Sequence, residues 1–383
     1  MNKHVTVWEM NGAMNAGGTE SLIMELLRNK PENVTVKMII HSSQKSPVGL
    51  FDDEIRKMGI DIHYLPSVGS VGYKAYKQRL FSLVSEIGKP DVIHSHMNAV
   101  GGLICKAARE CGISARIVHC HADIKYRGSR LSIIKNELKL RVMKIYVNKY
   151  ATGYWACSVA AARRLFYKNK PFTVIPNVID VQKYLSDDKK RIAERDALGV
   201  PNGAIAIGAV GRVARIKNYE TVIDALSILK ARGNDAHFYC YGRADDEAYF
   251  NELTKRAKDI GVSELVHFLG NSNRVSDAIS AFDVFVMPSI TEGLGISALE
   301  AQAAGIPTVL SNGVPNETDM SLSLVTRAEA KDALAWANAI ENSKIQHINH
   351  SDILEAFAKK GYDSKTKCAD IYGEYIKMTE RFK

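Results

Sequence analysis

The chain has 383 residues, 46% of them hydrophobic and 24% charged, with a formal net charge of +9. This composition is ordinary for a globular protein, and the length suits two domains rather than a disordered or fibrous chain. Six scattered cysteines without metal-ligand spacing indicate reduced thiols, and no apolar run approaches the roughly 18 residues of a bilayer span. We see no signal peptide, so we expect a cytoplasmic protein whose positive charge favours anionic partners.

Apolar runs of strand length alternate with helical segments along the chain. In order, the strand candidates are VTVWEM, VKMII, IDIHYL, DVIHSH, ARIVHC, GYWACS, FTVIP, AIAIGAV, HFYCYG, LVHFLG, DVFVMPS and TVLS. The alternation predicts an α/β fold with parallel sheets covered by helices on both faces. Twelve strands are too many for one sheet, and the polar stretch 181–204 is the best boundary. We therefore predict two doubly wound domains, whose ligands bind at the carboxyl ends of the strands.

The N-terminal loop NGAMNAGGTESL joins the first strand to a helix. Gly17 and Gly18 allow close approach of a ligand to the backbone, and Thr19 or Ser21 could cap the helix. The loop lacks the lysine of a P-loop. An ordinary strand–helix turn is the alternative for this loop taken alone.

Four histidines follow two neighbouring strands: His94 with His96, and His119 with His121. The alternation of side chains along a strand puts each pair on one side of its strand. With Asp123 they could form a metal site only if the two sets converge, which the sequence does not show. A packed or hydrogen-bonded histidine is the alternative, and so is a histidine that binds a sugar hydroxyl.

Residues 125–150 carry eight Lys and Arg against one Glu. Five apolar side chains recur at helical spacing: Leu131, Ile134, Leu138, Val142 and Ile145. Such a basic amphipathic helix could lie on an anionic membrane. It could equally bury this stripe in the core behind a solvated basic face.

The loop after AIAIGAV contains Arg212 and Lys217, which together could hold phosphate oxygens, with Arg215 as a substitute. A basic solvated loop is the alternative. Further on, the segment SITEGLGISALEAQAAGIP predicts a helix over 293–304 whose free N–H groups form an anion site. Glu292 and Glu300 at this helix suit hydroxyl groups better than phosphate. Hydroxyls at both ends and phosphate in the middle describe a nucleotide sugar.

The segment EGLGISALE resembles the E-x7-E signature of the retaining glycosyltransferases of family 4, which have the GT-B fold of two doubly wound domains. The blocks GGTE, DVIHSH, ACSVAAARRLF, VIPNVID, GRVARIKN, VHFLG and DVFVMPS also follow the family's order, so the resemblance spans nearly the whole chain. It implies an acceptor-binding domain over 1–185, a nucleotide-sugar-binding domain over 186–365, and a C-terminal helix over 366–383 that crosses back to the first domain.

The resemblance also implies roles for single residues. Glu292 corresponds to the glutamate that contacts the donor sugar, and Glu300 to the one that binds the ribose. Arg212 and Lys217 correspond to the pair that holds the diphosphate. The donor-binding set is Gly17, Gly18, Arg212, Lys217, Glu292, Gly293, Leu294, Gly295, Ile296 and Glu300. The active-site histidine corresponds to His119, with His121 as the competing choice, and second-choice or acceptor-side residues are His121, Asp123 and His96.

The activity so implied is metal-independent transfer of a sugar, with retention, from a UDP-sugar to a lipid-linked saccharide in cell-surface polysaccharide synthesis. No cofactor is expected, and the protein could lie peripherally at the inner face of the plasma membrane. Val178 and Ser297 depart from the family's usual glycine and proline. The alternatives are a non-catalytic nucleotide-sugar-binding protein and a UDP-sugar epimerase. The mild charge excess and 8% aromatic content disfavour a nucleic-acid-binding protein.

Overall fold

The computed structural model describes residues 4–15, 17–42, 49–121, 126, 129–272 and 274–382. The chain divides into two compact units, residues 1–178 with 364–383 and residues 179–363. The boundaries between units thus follow Val178 and Asp363, in place of the predicted positions 185 and 365.

Unit 1 is built on a seven-stranded parallel sheet of order β3-β2-β1-β4-β5-β6-β7. Its strands are β1 (Val5–Asn11), β2 (Val34–His41), β3 (Ile62–Leu65), β4 (Val92–Ser95), β5 (Ala115–Cys120), β6 (Gly153–Ala156) and β7 (Thr173–Val174). The order reverses between β1 and β4, where Glu9 pairs in register with His94. Ligands of doubly wound sheets bind at such a switch point, beyond the carboxyl ends of the strands.

Helices cover both faces of this sheet, which explains why β4, β5 and β6 are buried at every position. They are α1 (Gly18–Arg28), α2 (Asp52–Lys57), α3 (Val68–Ile87), α4 (Gly101–Glu110), α5 (Arg130–Tyr150), α6 (Val159–Leu165) and, at the end of the chain, α15 (Ser364–Arg381). Tyr372 and Tyr375 of α15 are buried in the core cluster beside β1.

Unit 2 repeats this architecture with a six-stranded parallel sheet of order β10-β9-β8-β11-β12-β13. The strands are β8 (Ile205–Val210), β9 (Ala236–Tyr241), β10 (Val266–Gly270), β11 (Val284–Met287), β12 (Thr308–Ser311) and β13 (Val325–Ala328). The helices are α7 (Val181–Tyr184), α8 (Asp188–Leu198), α9 (Tyr219–Ala231), α10 (Glu247–Asp259), α11 (Val275–Ala278), α12 (Ile296–Ala303), α13 (Ala333–Glu341) and α14 (His350–Lys360). Here the switch point lies between β8 and β11.

The predicted fold class, two doubly wound parallel-sheet domains, is confirmed. All twelve predicted strands are present in the described residues, and β13 is an additional one. The sequence VTRA does not predict a strand, because it contains no continuous apolar run. This suits its place at the edge of the sheet, where the strand is only partly buried.

Helix α5 tests whether the apolar stripe of residues 131–145 is buried in the core. Its five side chains are exposed, from Leu131 at 80% to Val142 at 42%. The helix buries the opposite side, with Leu140 and Val147 in the core. A Cβ on Gly102 would lie 2.4 Å from the Val147 nitrogen, so this glycine lets α4 and α5 pack closely. The core-facing interpretation of the stripe is therefore wrong. Within the described residues, no helix combines the length and apolarity needed to cross a bilayer.

Candidate active site

The loop between β11 and α12 is shaped by Gly295, which adopts the left-handed conformation (φ 82°) at the helix N-cap. A Cβ here would lie 2.8 Å from the Met287 sulfur, so both the conformation and the space require glycine. Because of this turn, α12 begins at Ile296 and not at residue 293 as predicted. Gly293 and Leu294 lie in the loop, and the Leu294 carbonyl accepts a hydrogen bond from the Thr318 hydroxyl.

Glu292 lies in the same loop and is held from three sides. Its main-chain N–H donates to the Gly313 carbonyl at 3.0 Å. Its Oε1 accepts hydrogen bonds from Ser289 Oγ at 2.8 Å and from Lys217 Nζ at 2.5 Å. The side chains of Lys217 and Glu292 are only 16% and 15% exposed. The structure therefore brings together two predicted site residues that lie 75 positions apart in the sequence.

The position of Lys217 depends on Asn218, which sequence reasoning missed. Asn218 is buried and left-handed (φ 56°), and its side-chain amide donates to the carbonyls of Pro288 at 3.0 Å and Ala330 at 2.5 Å. These bonds tie the loop after β8 to the end of β11. After glycine, asparagine is the residue that best tolerates the left-handed conformation. An asparagine directly after Lys217, in the loop that follows a buried strand, was therefore the feature of the sequence that could have indicated this turn.

Gly211, at the end of β8, leaves room beside the Lys217 ammonium. A Cβ at this position would lie 3.3 Å from Lys217 Nζ and 3.2 Å from the Tyr219 hydroxyl. The absence of a side chain opens the backbone to a small anion that the ammonium could hold. In the sequence, Gly208 and Gly211 form only a fragment of a dinucleotide fingerprint, which by itself does not indicate a site.

Arg212 and Arg215 have different partners. Arg212 is 63% exposed and donates to Asp245 Oδ2 at 2.8 Å. Hydrogen bonds from Arg212 and Arg243 lower the pKa of the Asp245 carboxyl. Arg215 instead forms two hydrogen bonds with Glu252, at 2.6 and 2.8 Å. Its engagement there gives no support to the expectation that Arg215 substitutes for Arg212.

Glu300 lies on α12, and its Oε1 accepts a hydrogen bond from the Tyr184 hydroxyl of α7 at 2.7 Å. Ser297, one turn before Glu300, donates through Oγ to the Val210 carbonyl at 2.9 Å. The serine therefore ties the first turn of α12 to the end of β8, a contact that proline could not make.

In unit 1, helix α1 begins at Gly18, and the N-cap residue Gly17 has an extended backbone. A Cβ on Gly17 would lie 2.4 Å from Glu20 Oε2. Glu20 also accepts a hydrogen bond from the Asn11 side chain at 3.2 Å. Among the described residues no side chain caps this helix, so the expectation that Thr19 or Ser21 does so is wrong.

The four histidines at the ends of β4 and β5 do converge. His94 Nε2 lies 3.1 Å from His119 Nδ1, and His96 Nδ1 lies 2.8 Å from His121 Nε2. Within each strand, the ring centroids of the two histidines are 4.0 Å apart. Asp123, the fifth residue of the predicted set, lies outside the described residues.

Two further residues complete this cluster, and sequence reasoning missed both. Glu9 of β1 is fully buried, and its Oε2 lies 3.0 Å from His94 Nδ1 and 2.8 Å from His96 Nε2. Tyr375 of α15 donates to Glu9 Oε1 at 2.7 Å. Burial disfavours the charged carboxylate, but the His94 and His96 imidazoles outweigh burial and hold the pKa of Glu9 well below its usual range. The feature of the sequence that could have indicated Glu9 is a glutamate in the middle of an otherwise apolar strand.

In the part of the chain that the structure describes, His94, His96 and His119 form the one group of side chains with ligand atoms close enough to suggest a metal site. One nitrogen of each lies within 4.8 Å of the nitrogens of the other two. The N···N contacts already described are those of hydrogen bonds between imidazoles. Burial lowers the pKa of His96 to about 4 and those of His119 and His121 well below the usual range, with the neighbouring histidines adding to the effect.

The chain is similar in sequence and fold to known glycosyltransferases. The model described as "Glycosyl transferases group 1" matches residues 190–361. "Putative glycosyltransferase EpsF" of Bacillus subtilis (strain 168) is 29% identical over 374 residues, covering 96% of this chain and 95% of that protein. "Capsular polysaccharide biosynthesis glycosyltransferase CapH" of Staphylococcus aureus is 23% identical over 363 residues, covering 91% and 94%. The crystal structure of Anabaena Alr3699/HepE in complex with UDP-glucose superposes with a TM-score of 0.70 at 18% identity, covering 99% of this chain and 98% of that one.

Proposed function

Because residues 190–361 match the group 1 glycosyltransferase model and the chain has the GT-B fold, we propose that it is a retaining transferase of family 4. It transfers a sugar from a nucleoside-diphosphate sugar, for which we propose a UDP-sugar. The acceptor is a hydroxyl group of a lipid-linked saccharide in cell-surface polysaccharide synthesis. The observation that carries this proposal is the Lys217–Glu292 pair at 2.5 Å, at the switch point of unit 2 beside Gly211 and the first turn of α12.

The donor is held in unit 2 by charge and by hydroxyl recognition. Lys217 and Arg212 bind the diphosphate, which competes with Glu292 and Asp245 for these cations. The backbone from Gly293 to Ile296 contacts sugar and phosphate, and the free N–H groups of the first turn of α12 add a positive potential. Glu292 accepts hydrogen bonds from the donor sugar. Glu300 accepts them from the ribose hydroxyls.

The reaction breaks the bond between the anomeric carbon and the diphosphate oxygen and forms a bond from the same face to the acceptor oxygen. The acceptor's proton passes to the departing diphosphate. Negative charge accumulates on that leaving group, where Arg212 and Lys217 offset it without a metal ion. Glu292, tied to Lys217, places the donor sugar so that the departing oxygen lies near the ammonium.

The choice of uridine is supported by the structure of HepE in complex with UDP-glucose. That complex describes the ligand of HepE, and we propose the same nucleoside here. The role in polysaccharide synthesis is supported by the name of the CapH relative. In this proposal unit 1 binds the acceptor, through the loop of Gly17 and Gly18 and an active-site histidine at the end of β5.

Helix α5 supports a lipid-linked acceptor. It carries six Lys and Arg against one Glu over residues 130–150, together with the exposed stripe from Leu131 to Ile145. An exposed apolar stripe between basic side chains suits the interface of an anionic membrane, where both burial and charge contribute. We propose that this helix holds the protein peripherally at the inner face of the plasma membrane.

The donor proposal is tested by measuring nucleoside diphosphate release from a panel of UDP- and GDP-sugars, with prenyl-diphosphate-linked monosaccharides as acceptors, in EDTA. We expect release from a UDP-sugar that depends on the acceptor and persists in EDTA, with NMR of the product showing the donor's anomeric configuration. An inverted product, a requirement for a divalent metal, or no release and no binding of any donor would contradict the mechanism.

The membrane proposal is tested by sedimentation with vesicles of phosphatidylglycerol and phosphatidylcholine. Wild-type protein should bind in proportion to the anionic lipid and lose binding in high salt. Replacing Ile134 and Leu138 by serine should abolish binding without lowering the melting temperature, because both side chains are more than 60% exposed. Wild-type protein that ignores anionic vesicles would refute this part of the proposal.

A further inference from the structure

One imidazole nitrogen in the histidine cluster is buried and has no hydrogen-bond partner within the described part of the chain. It is His121 Nδ1. A buried polar atom without a partner costs free energy, so each such atom in a native protein calls for an explanation. A bound hydroxyl group would supply the missing partner.

The hydrogen positions in one branch of the cluster follow from Glu9. An ionised carboxylate only accepts hydrogen bonds, so His96 Nε2, 2.8 Å from Glu9 Oε2, carries a proton and donates it. The low pKa of His96, caused mainly by burial, leaves this imidazole neutral at pH 7, so its Nδ1 is an acceptor. The contact of 2.8 Å between His96 Nδ1 and His121 Nε2 therefore makes His121 Nε2 the donor.

His121 is also neutral at pH 7, because burial and the neighbouring His96 and His94 lower its pKa well below the usual range. With its proton on Nε2, its Nδ1 carries a free lone pair. Glu9 thus dictates the tautomer of His121 through His96, in the way that a buried carboxylate orients the histidine of a catalytic triad.

His121 is better placed than His119 to use such a lone pair. His119 is fully buried within β5, and a hydrogen bond with the main chain of Ile175 opposes the larger effect of burial on its pKa. His121 follows the last residue of the strand, Cys120, and is partly exposed. Its main-chain N–H donates to Asn98 Oδ1 at 2.8 Å, which fixes the backbone at this point.

We infer that His121, rather than His119, is the histidine that contacts the acceptor saccharide, with Nδ1 accepting a hydrogen bond from an acceptor hydroxyl. Glu9 and His96 are positioning residues that hold His121 in the Nε2–H tautomer. The contact with the acceptor rests on the proposed function, whereas the tautomer is a property of the protein alone.

The tautomer is measured by ¹H–¹⁵N NMR of the imidazole nitrogens in the full chain with labelled histidine, assigned by loss of signals in His121→Ala. Wild-type His121 should be protonated at Nε2 only. In Glu9→Gln the new amide can donate to His96 Nε2, which reverses both imidazoles and gives His121 a population protonated at Nδ1. Tyr375→Phe is the matched control, because it removes the hydrogen bond to Glu9 and the contact with His94 Nδ1 but leaves the carboxylate facing His96. A wild-type His121 protonated at Nδ1, or a tautomer unchanged in Glu9→Gln, would overturn the relay.

Kinetics with the prenyl-linked acceptors test the contact. We expect His121→Ala and Glu9→Gln each to lower kcat/KM for the acceptor about 10-fold, as for one lost hydrogen bond, with KM for the donor unchanged. The double variant should fall no further, because both changes remove the same bond. The assignment would be overturned if the double variant lowered kcat/KM by the product of the two single effects. It would also be overturned if His119→Ala lowered kcat/KM more than His121→Ala does. A wild-type protein that transfers no sugar would contradict the proposed function, while the NMR result would still decide the relay.

Discussion

The replacement of Arg212 by alanine separates binding from folding, because this side chain lies at the proposed diphosphate site yet contributes little to stability. It is 63% exposed, and its ion pair with Asp245 is of the surface kind, worth about 0–1 kcal/mol. We therefore expect the unliganded Arg212→Ala protein to melt within a few degrees of wild type, since 1 kcal/mol corresponds to about 2–4 °C in a domain of this size.

The effect on the ligand is larger. A UDP-sugar at about 100 times its Kd stabilises the folded protein by about 2.7 kcal/mol, or about 5–11 °C. Loss of a charge-assisted contact of about 2 kcal/mol raises Kd about 30-fold. At the same ligand concentration the stabilisation then falls to about 0.9 kcal/mol, or about 2–4 °C.

The assay is a thermal-shift titration of wild type and Arg212→Ala with the UDP-sugar in EDTA. Arg215→Ala is the matched control, because Arg215 lies in the same loop, is 56% exposed and pairs with Glu252. It should keep the full ligand shift. Equal loss of the ligand shift in both variants would mean that general charge, and not contact with the diphosphate, attracts the ligand. A large drop in the melting temperature of unliganded Arg212→Ala would mean that the arginine has a structural role.

Three further predictions concern the surroundings of the two sites. Glu300→Gln should weaken UDP binding about 10-fold in calorimetry, whereas Tyr184→Phe, which removes the hydrogen bond to Glu300 but keeps the carboxylate, should bind almost as wild type. Gly313→Ala should destabilise unit 2 by about 1–3 kcal/mol in denaturant titrations, since its Cβ would lie 2.2 Å from a main-chain oxygen, whereas Gly293→Ala meets no atom within 4 Å and should be neutral. Finally, unfolded His96 binds a proton near pH 6.5 and folded His96 only near pH 4. The unfolded state thus binds more protons in this window, so His96 alone should lower the free energy of unfolding by about 3 kcal/mol as the pH drops from 6.5 to 4. His119 and His121, whose pKa values are also lowered, add to this fall. Replacing His96 by glutamine should make the free energy of unfolding depend less on pH between 6.5 and 4. An unchanged pH dependence would contradict the conclusion that His96 is buried in its neutral form.

The sequence by itself determined the fold class and the neighbourhood of the donor site. Alternating strands and helices predict parallel doubly wound sheets, and in such sheets the residues after each strand gather at one edge. Arg212, Lys217 and Glu292 follow the ends of two buried strands, so their shared edge could be predicted. Their roles toward a ligand remain predictions.

Only the tertiary structure decided which of these residues touch. Strand order is set by packing and not by chain order, so the sequence did not place β8 beside β11, and hence Lys217 against Glu292, 75 positions away. For the same reason it did not show that Glu9 meets His96 and Tyr375 across long stretches of chain.

The apolar stripe of α5 shows this limit most clearly. Its spacing states which side chains share a face, but a face can point to the core or to solvent, and periodicity is the same in both cases. The opposite side of α5 packs on α4 at Gly102, where the absence of a side chain permits close contact with Val147. That packing, and no feature of the stripe itself, leaves Leu131 and its neighbours exposed.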